Sequence, residues 1–227
     1  MEFQLNDKSG RYSASGKLLS KREYNLTITL TIAWGFFLDY LICKYCAGMI
    51  TPYLSTTSGL IISIILYIVI SIISIKMIHG SDNPVVSFIG FTILAGVMGL
   101  VLSVVVACYT ADSIFHAMFL TGVACAVIGL LSSLFPNFFV KMGRSMFVVL
   151  IITIVAEIAL SFVYPAGLTV TSYVVIGIFS IYFGYDLVKA QAYAPTRDNA
   201  VDSAADIYID VINLFVRILR IVGDSKN

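Results

Sequence analysis

The chain alternates long apolar runs with short polar breaks, and the runs have the length of membrane spans. Seven are found, near residues 26–46, 57–78, 85–108, 112–134, 145–163, 166–188 and 203–222; a helix needs about 20 apolar residues to cross a bilayer. Turn-forming residues punctuate them. Thr51-Pro52 follows the first run, Gly80-Ser81-Asp82-Asn83-Pro84 the second, Phe135-Pro136-Asn137 the fourth, Tyr164-Pro165-Ala166-Gly167 the fifth and Ala194-Pro195-Thr196-Arg197-Asp198-Asn199 the sixth. The third break, Tyr109-Thr110-Ala111-Asp112, is weaker, and Asp112 is expected to cap the helix that follows. Backbone groups in lipid must pair within their own segment, which makes the runs helices rather than strands. The strands of a barrel would need only about 10 residues. The pattern therefore predicts an all-α, polytopic membrane protein with seven transmembrane helices. Residues 1–24 read as a polar N-terminal tail, 25–223 as the membrane domain and 224–227 as a short C-terminal tail.

Composition agrees with a protein dissolved in lipid. Of the 227 residues, 59% are hydrophobic and 12% charged, with a mean hydropathy of +0.96, whereas a soluble domain carries about 25% charged residues. The net charge of +1 gives no footing for a nucleic-acid partner. No cleavable signal peptide is expected, because the first two dozen residues are polar and the first apolar run is too long for a signal core. Basic residues set the orientation. With the N-terminus inside, the inner segments hold Lys8, Arg11, Lys17, Lys21, Arg22, Lys76, Lys141, Arg144, Lys189 and Arg197, and the outer loops hold Lys44 alone. The N-terminus is accordingly expected in the cytoplasm, with the protein in the cell (plasma or inner) membrane. Arg217, Arg220 and Lys226 run against an outside C-terminus. They would snorkel to the far interface, or the last segment would re-enter without crossing.

Cys43-Lys44-Tyr45-Cys46 has CxxC spacing but no second pair and no histidine nearby, so it reads as small apolar residues on adjacent helix turns rather than a redox or metal centre. Gly90, Gly96 and Gly99 in the third run, and Gly122 and Gly129 in the fourth, are expected to let helix backbones approach closely.

The acids are the chemistry of the chain. A carboxylate at membrane depth costs roughly 2.5–3.5 kcal/mol on insertion scales, yet Asp186 closes the sixth run and Asp210 lies about two turns into the seventh. In the seventh run Asp206, Asp210, Asn213, Arg217 and Arg220 are spaced 4, 3, 4 and 3 residues apart, which puts them on one helix face. Asp198 and Asp202 extend the stripe backwards. Such a helix is either enclosed by the other six or lies along the interface. Its cations cluster at one end, which favours enclosure. The sixth and seventh runs point in opposite directions, so Asp186 and Asp210 fall at similar depth, where they can meet. Two carboxylates at hydrogen-bonding distance in a low dielectric share a proton, and such a pair is able to titrate near physiological pH. Its ionised form offers hard oxygen ligands to Ca²⁺. The plainer alternative is that each acid caps its helix or pairs with Lys76, Lys189 or Arg217. Asp39 in the first run and Glu157 in the fifth either line a permeation path or pair with a hydroxyl or ring of Ser, Tyr or His. His79 and His116 are assigned to local hydrogen bonding.

Gly184-Tyr185-Asp186, followed after 24 residues by Asp210 within Asp206-Ile-Tyr-Ile-Asp-Val-Ile-Asn-Leu-Phe215, resembles the Bax inhibitor-1 (transmembrane Bax inhibitor motif) family. Asn83-Pro84-Val85 and Ser113-Ile114-Phe115-His116-Ala117-Met118-Phe119-Leu120-Thr121-Gly122 are similar to it as well, and the likeness covers about residues 20–223. The short loops look like those of a prokaryotic member. The resemblance implies a seven-helix fold with the last helix inside, and a pH-sensitive Ca²⁺ leak governed by two aspartates, here Asp186 and Asp210. It makes Asp206 a supporting or path-lining acid, and Asn213 and Arg217 further candidates on the same face. One departure is plain: the family can carry an acid and an arginine in its second helix, and Gly59 to Met77 holds neither. Lys76 is the available stand-in, without the forked contact of an arginine.

The leading expectation is a Ca²⁺-conducting membrane protein, gated by the shared proton of Asp186 and Asp210. Ca²⁺ is its permeating ion, bound transiently at that pair, and no cofactor is expected. Its partners are the bilayer, Ca²⁺ and protons, with room for a membrane-protein partner. The alternative is an interaction protein that regulates a membrane-bound protease or a stress or cell-death component. An intramembrane aspartyl protease is disfavoured, because Asp186 is followed by Leu187-Val188 and lacks a Gly-Leu-Gly-Asp context. The chain is therefore not expected to be an enzyme.

Overall fold

In the computed structural model, residues 17–46, 48, 56–163 and 167–224 are described. They form helices α1 (Lys21–Tyr45), α2 (Thr57–His79), α3 (Pro84–Ala107), α4 (Ala111–Leu134), α5 (Pro136–Val163), α6 (Gly167–Ala192) and α7 (Arg197–Val222), with no strand among the described residues. Most of the tail assigned to residues 1–24, with Lys8 and Arg11, lies outside them, as do Thr51-Pro52, Tyr164-Pro165-Ala166 and Lys226.

Each helix start has a local cause. Ser20 and Glu23 close a reciprocal capping box on α1, the Glu23 amide donating to Ser20 Oγ at 3.2 Å and the Ser20 amide to Glu23 Oε2 at 2.9 Å. Asn83 caps α3 ahead of Pro84, which needs no amide partner in the first turn. The cap of α4 is Thr110 and not Asp112 as expected: the Ser113 amide donates to Thr110 Oγ1 at 3.3 Å. Asp112 sits in the first turn, where its charge suits the helix dipole without supplying the cap.

Five helices (α1, α2, α3, α4 and Val170–Ala192 of α6) are long and apolar enough to cross a membrane. The bent α5, whose segments Pro136–Gly143 and Val148–Glu157 diverge by 57°, makes a sixth if it is one span. The helix that holds the run expected at 145–163 begins at Pro136, with Lys141 in its first segment and Arg144 at the bend. α7 carries too many charges to count by composition. On α2 nearly every large side chain is exposed, from Leu60 and Ile61 to Ile73 and Ile75. An uncovered apolar surface of that kind is what lipid, not water, solvates.

The chain divides into two compact units. The first holds α1, α2, α3 and the start of α7 through Ala205. α3 is its centre, with Phe91 and Ala95 fully buried. Gly90 lets α3 close on α2, since a Cβ there would lie 2.7 Å from Met77 Cβ, and Gly99 does the same toward α1 at 2.9 Å from Asp39 Oδ1. The other three glycines expected to act this way do not: Gly96 and Gly122 meet nothing within 4 Å, and Gly129 only makes ordinary contact with Leu187. The start of α7 is tied in by polar contacts. Thr196 caps it, Ser87 Oγ lies 2.7 Å from Asp198 Oδ1, Tyr24 Oη lies 3.2 Å from Ser203 Oγ, and the Leu19 amide donates to Pro195 O at 2.7 Å.

The second unit holds α4, α5, α6 and the rest of α7. Two glycines outside the five expected to bring helices together set its closest approaches. A Cβ on Gly184 of α6 would fall 2.2 Å from the Phe139 ring, and one on Gly143 of α5 would fall 2.5 Å from the Tyr185 ring. α5 and α6 thus interlock over Gly184-Tyr185, immediately before Asp186. At the end of α7 the Asp224 amide donates to Ser113 Oγ at 2.9 Å, and the Thr110 amide to Asp224 O at 3.3 Å.

Candidate functional site: an acid cluster with its own cation

The second unit brings together three carboxyls that the sequence spreads over 25 residues. Asp186 comes from α6, and Asp206 and Asp210 stand one turn apart on α7. Asp186 and Asp210 lie close enough for their carboxyls to act on each other, and Asp206 is near enough for its charge to act on both. Water barely reaches them: Asp210 is 4% exposed and the Asp186 side chain 12%. Asp210 Oδ2 accepts from no donor among the described residues. Cys125 of α4 and Tyr182 of α6 lie within the field of Asp210.

The cation of this cluster is Lys189, on α6 one turn beyond Asp186. Its Nζ stands 3.2 Å from Asp186 Oδ1 and 3.1 Å from Asp206 Oδ2, and 5.5 Å from the centre of the Tyr185 ring. Lys76, the cation suggested from the sequence, is exposed in the last turn of α2, within the first unit. The sequence offered Lys189 as one of three possible partners of the aspartates, but not its bridge to Asp206, because a cation three residues after Asp186 is an ordinary intrahelical pairing.

The remaining polar stripe of α7 divides. Asn213 turns back on its own helix, Nδ2 donating to Ile209 O at 2.8 Å. Arg217 meets Glu157 of α5 in a forked pair, Nη1 to Oε1 and Nη2 to Oε2, the latter at 2.8 Å. Thr171 Oγ1 donates to Glu157 Oε1 at 2.9 Å, and Arg220 approaches that oxygen to 3.8 Å. Glu157 therefore has an arginine as its main partner and a threonine hydroxyl beside it, not the Ser, Tyr or His suggested from the sequence. A partner 60 residues away in the chain carries no local signal. Asp39 is buried at 4% exposure against Gly99.

In the first unit, Asp202 Oδ2 lies 3.5 Å from His79 Nδ1 and Asp198 accepts from Ser87. The earlier part of the stripe is thus also paired across helices. His116 stands 3.4 Å from Asp112 on an exposed helix face. Cys43, Cys46, Cys108 and Cys125 are free thiols. No group of three or more His, Cys, Asp or Glu side chains among the described residues is arranged to hold a metal ion. Asp186 and Asp210 together supply at most four oxygens, fewer than the 6–8 of a full Ca²⁺ shell. An ion there would complete its shell with water or other groups.

Residues 23–227 match the family described as inhibitor of apoptosis-promoting Bax1. Two curated proteins of Helicobacter pylori, from strains 26695 and J99 and each described as uncharacterized, are 28% identical to this chain over 141 residues. The matched stretch is 59% of this chain and 58% of each of those proteins, so little more than half of each relative's length is covered.

Proposed function

This chain belongs to the Bax inhibitor-1 family, and we propose that it is a pH-sensitive calcium leak channel of the cell membrane, gated at Asp186 and Asp210. One observation carries the reading: carboxyls from two different helices come within each other's field where water barely reaches. Two anions in that position repel, and the repulsion is relieved by a proton held between them, one carboxyl donating to the other. The protonated pair clamps α6 to α7 at that level. Loss of the proton removes the donor, leaving two anions that separate or admit a cation. The ionisable groups around the pair are Asp206, Lys189, Tyr182, Tyr185 and Cys125.

The reading takes α7 as a seventh span enclosed by the other six helices. Residues 198–205 of α7 are buried without a break, hence on every face of the helix. The first turn of α7 is tied to Ser87 near the start of α3, and the residue after its end to Thr110 and Ser113 at the start of α4. These ties lie at opposite ends of a helix about 39 Å long at 1.5 Å per residue, enough to cross a bilayer. The basic residues of the inner segments support a cytoplasmic N-terminus.

The test is Ca²⁺ flux into dye-loaded liposomes carrying the purified protein, measured across pH 5 to 8. The wild-type rate is expected to change with pH, and Asp186→Asn and Asp210→Asn to abolish that change. Variants whose flux and pH response both match the wild type would overturn the assignment.

A further inference from the structure

We infer that Lys189 is a tethered cation of the conduction path: its ammonium holds, between Asp186 and Asp206, the place a permeating cation would take. The inference rests on the channel reading and adds to it the group that limits the flux. Its basis is the contact geometry, with Nζ 3.2 Å from one carboxylate on its own helix and 3.1 Å from another on α7. An ammonium so placed bridges one carboxylate on each side of the α6–α7 contact and offsets a single unit of their charge.

Three features suit Lys189 to that place. Lysine carries a compact charge on a flexible four-carbon stem, so the ammonium is able to leave its acids without any movement of the helix. The face of the Tyr185 ring, 5.5 Å away, gives the cation a further attractive wall. The charge balance also leaves room for an ion. Asp186, Asp206 and Asp210 against Lys189 give a net −2 when all are ionised, and −1 when Asp186 and Asp210 share a proton. A divalent cation balances the first state and over-fills the second. Lys189 therefore competes with the ion for the same oxygens, and the pair's proton decides how hard it must compete.

The experiment compares wild type, Lys189→Gln and Lys189→Arg in the same dye-loaded liposome assay at fixed pH, with Ca²⁺-dependent melting in detergent as the second readout. Lys189→Gln removes the competitor and one positive charge. Its initial flux is expected to rise about tenfold, a modest share of what a unit charge a few ångströms away exerts in a partly buried site. Its melting point should rise at lower Ca²⁺ concentration than that of the wild type. Lys189→Arg keeps the charge but forks onto the carboxylates and leaves less readily, so its flux should fall below wild type. A purely structural lysine predicts instead that Gln lowers flux with stability and that Arg rescues it. Equal or lower flux in Lys189→Gln, with a conducting wild type, overturns this inference and leaves the channel reading intact. Should Lys189→Gln fail to fold, Lys189→Arg decides alone, and a rate equal to or above wild type overturns the inference. A wild type with no flux at any pH overturns the channel reading and this inference together.

Discussion

Breaking the Arg217–Glu157 pair should destabilise the second unit by an amount that depends on whether the other charge is left behind. The side chains of Arg217 and Glu157 are 17% and 16% exposed and meet through two parallel contacts, with Thr171 adding a third to the carboxylate. Removing one partner of a fully buried pair costs about 3–5 kcal/mol, and a fully exposed pair is worth about 0.2–1 kcal/mol. This pair lies nearer the first limit, but Arg220, 3.8 Å from the same carboxylate and 39% exposed, is able to move in as a partial substitute. Arg217→Met is therefore expected to cost about 2–3 kcal/mol, discounted from the buried limit. Glu157→Gln leaves the guanidinium facing a neutral amide and should cost about 1–2 kcal/mol. The double variant strands neither charge, so its cost should fall short of the sum by about 2 kcal/mol. Reversible unfolding of the four proteins in mixed detergent micelles, followed by circular dichroism, closes the cycle. Additivity within about 0.5 kcal/mol would mean the two side chains do not depend on each other, and the forked contact would lose its energetic meaning.

Three further outcomes follow from named contacts. Gly184→Ala and Gly143→Ala place a Cβ into the rings of Phe139 and Tyr185 and should each cost about 1–3 kcal/mol of overpacking. Gly96→Ala and Gly122→Ala, with open space around them, should stabilise by up to about 1 kcal/mol through helix propensity; thermal melting separates the two classes. Thr110→Ala removes the cap of α4 and should cost about 1 kcal/mol, while Asp112→Ala, on an exposed turn, should stay within about 0.5 kcal/mol; equal effects would mean the cap is misassigned. Ser87→Ala leaves buried Asp198 Oδ1 without its 2.7 Å donor and should cost about 1–3 kcal/mol, read by the same melting assay.

The helices were legible because lipid imposes a length rule on every span, and a 20-residue apolar window finds that length without knowing any contact. What the window missed lies at the polar ends. α1 starts at Lys21 and α7 at Arg197, ahead of the runs beginning at 26 and 203, and α5 starts at Pro136 rather than 145. In each case the helix continues through charged residues that a hydropathy criterion treats as breaks. The cap of α4 fails similarly: Asp112 and Thr110 are both good capping residues, and which of them caps depends on where the chain leaves α3.

The acid cluster shows where sequence periodicity stops. A 4-3-4-3 stripe places Asp206, Asp210, Asn213 and Arg217 on one face of α7, but a face is not a set of partners. Asp206 and Asp210 meet α6, Asn213 bonds its own backbone and Arg217 meets α5. Those assignments depend on the rotation and crossing of neighbouring helices, which the interlock of Gly184 on Phe139 and of Gly143 on Tyr185 fixes one residue before Asp186. A side chain as small as a methyl at either glycine would move the α6 backbone away from α5, and with it the carboxyl of Asp186 beside Asp210. The motif Gly184-Tyr185-Asp186 therefore reads as one mechanical unit, in which the glycine and the ring set the position of the acid. If Gly184→Ala left the pH response of Ca²⁺ flux unchanged, the positioning of Asp186 would have to come from α7 instead.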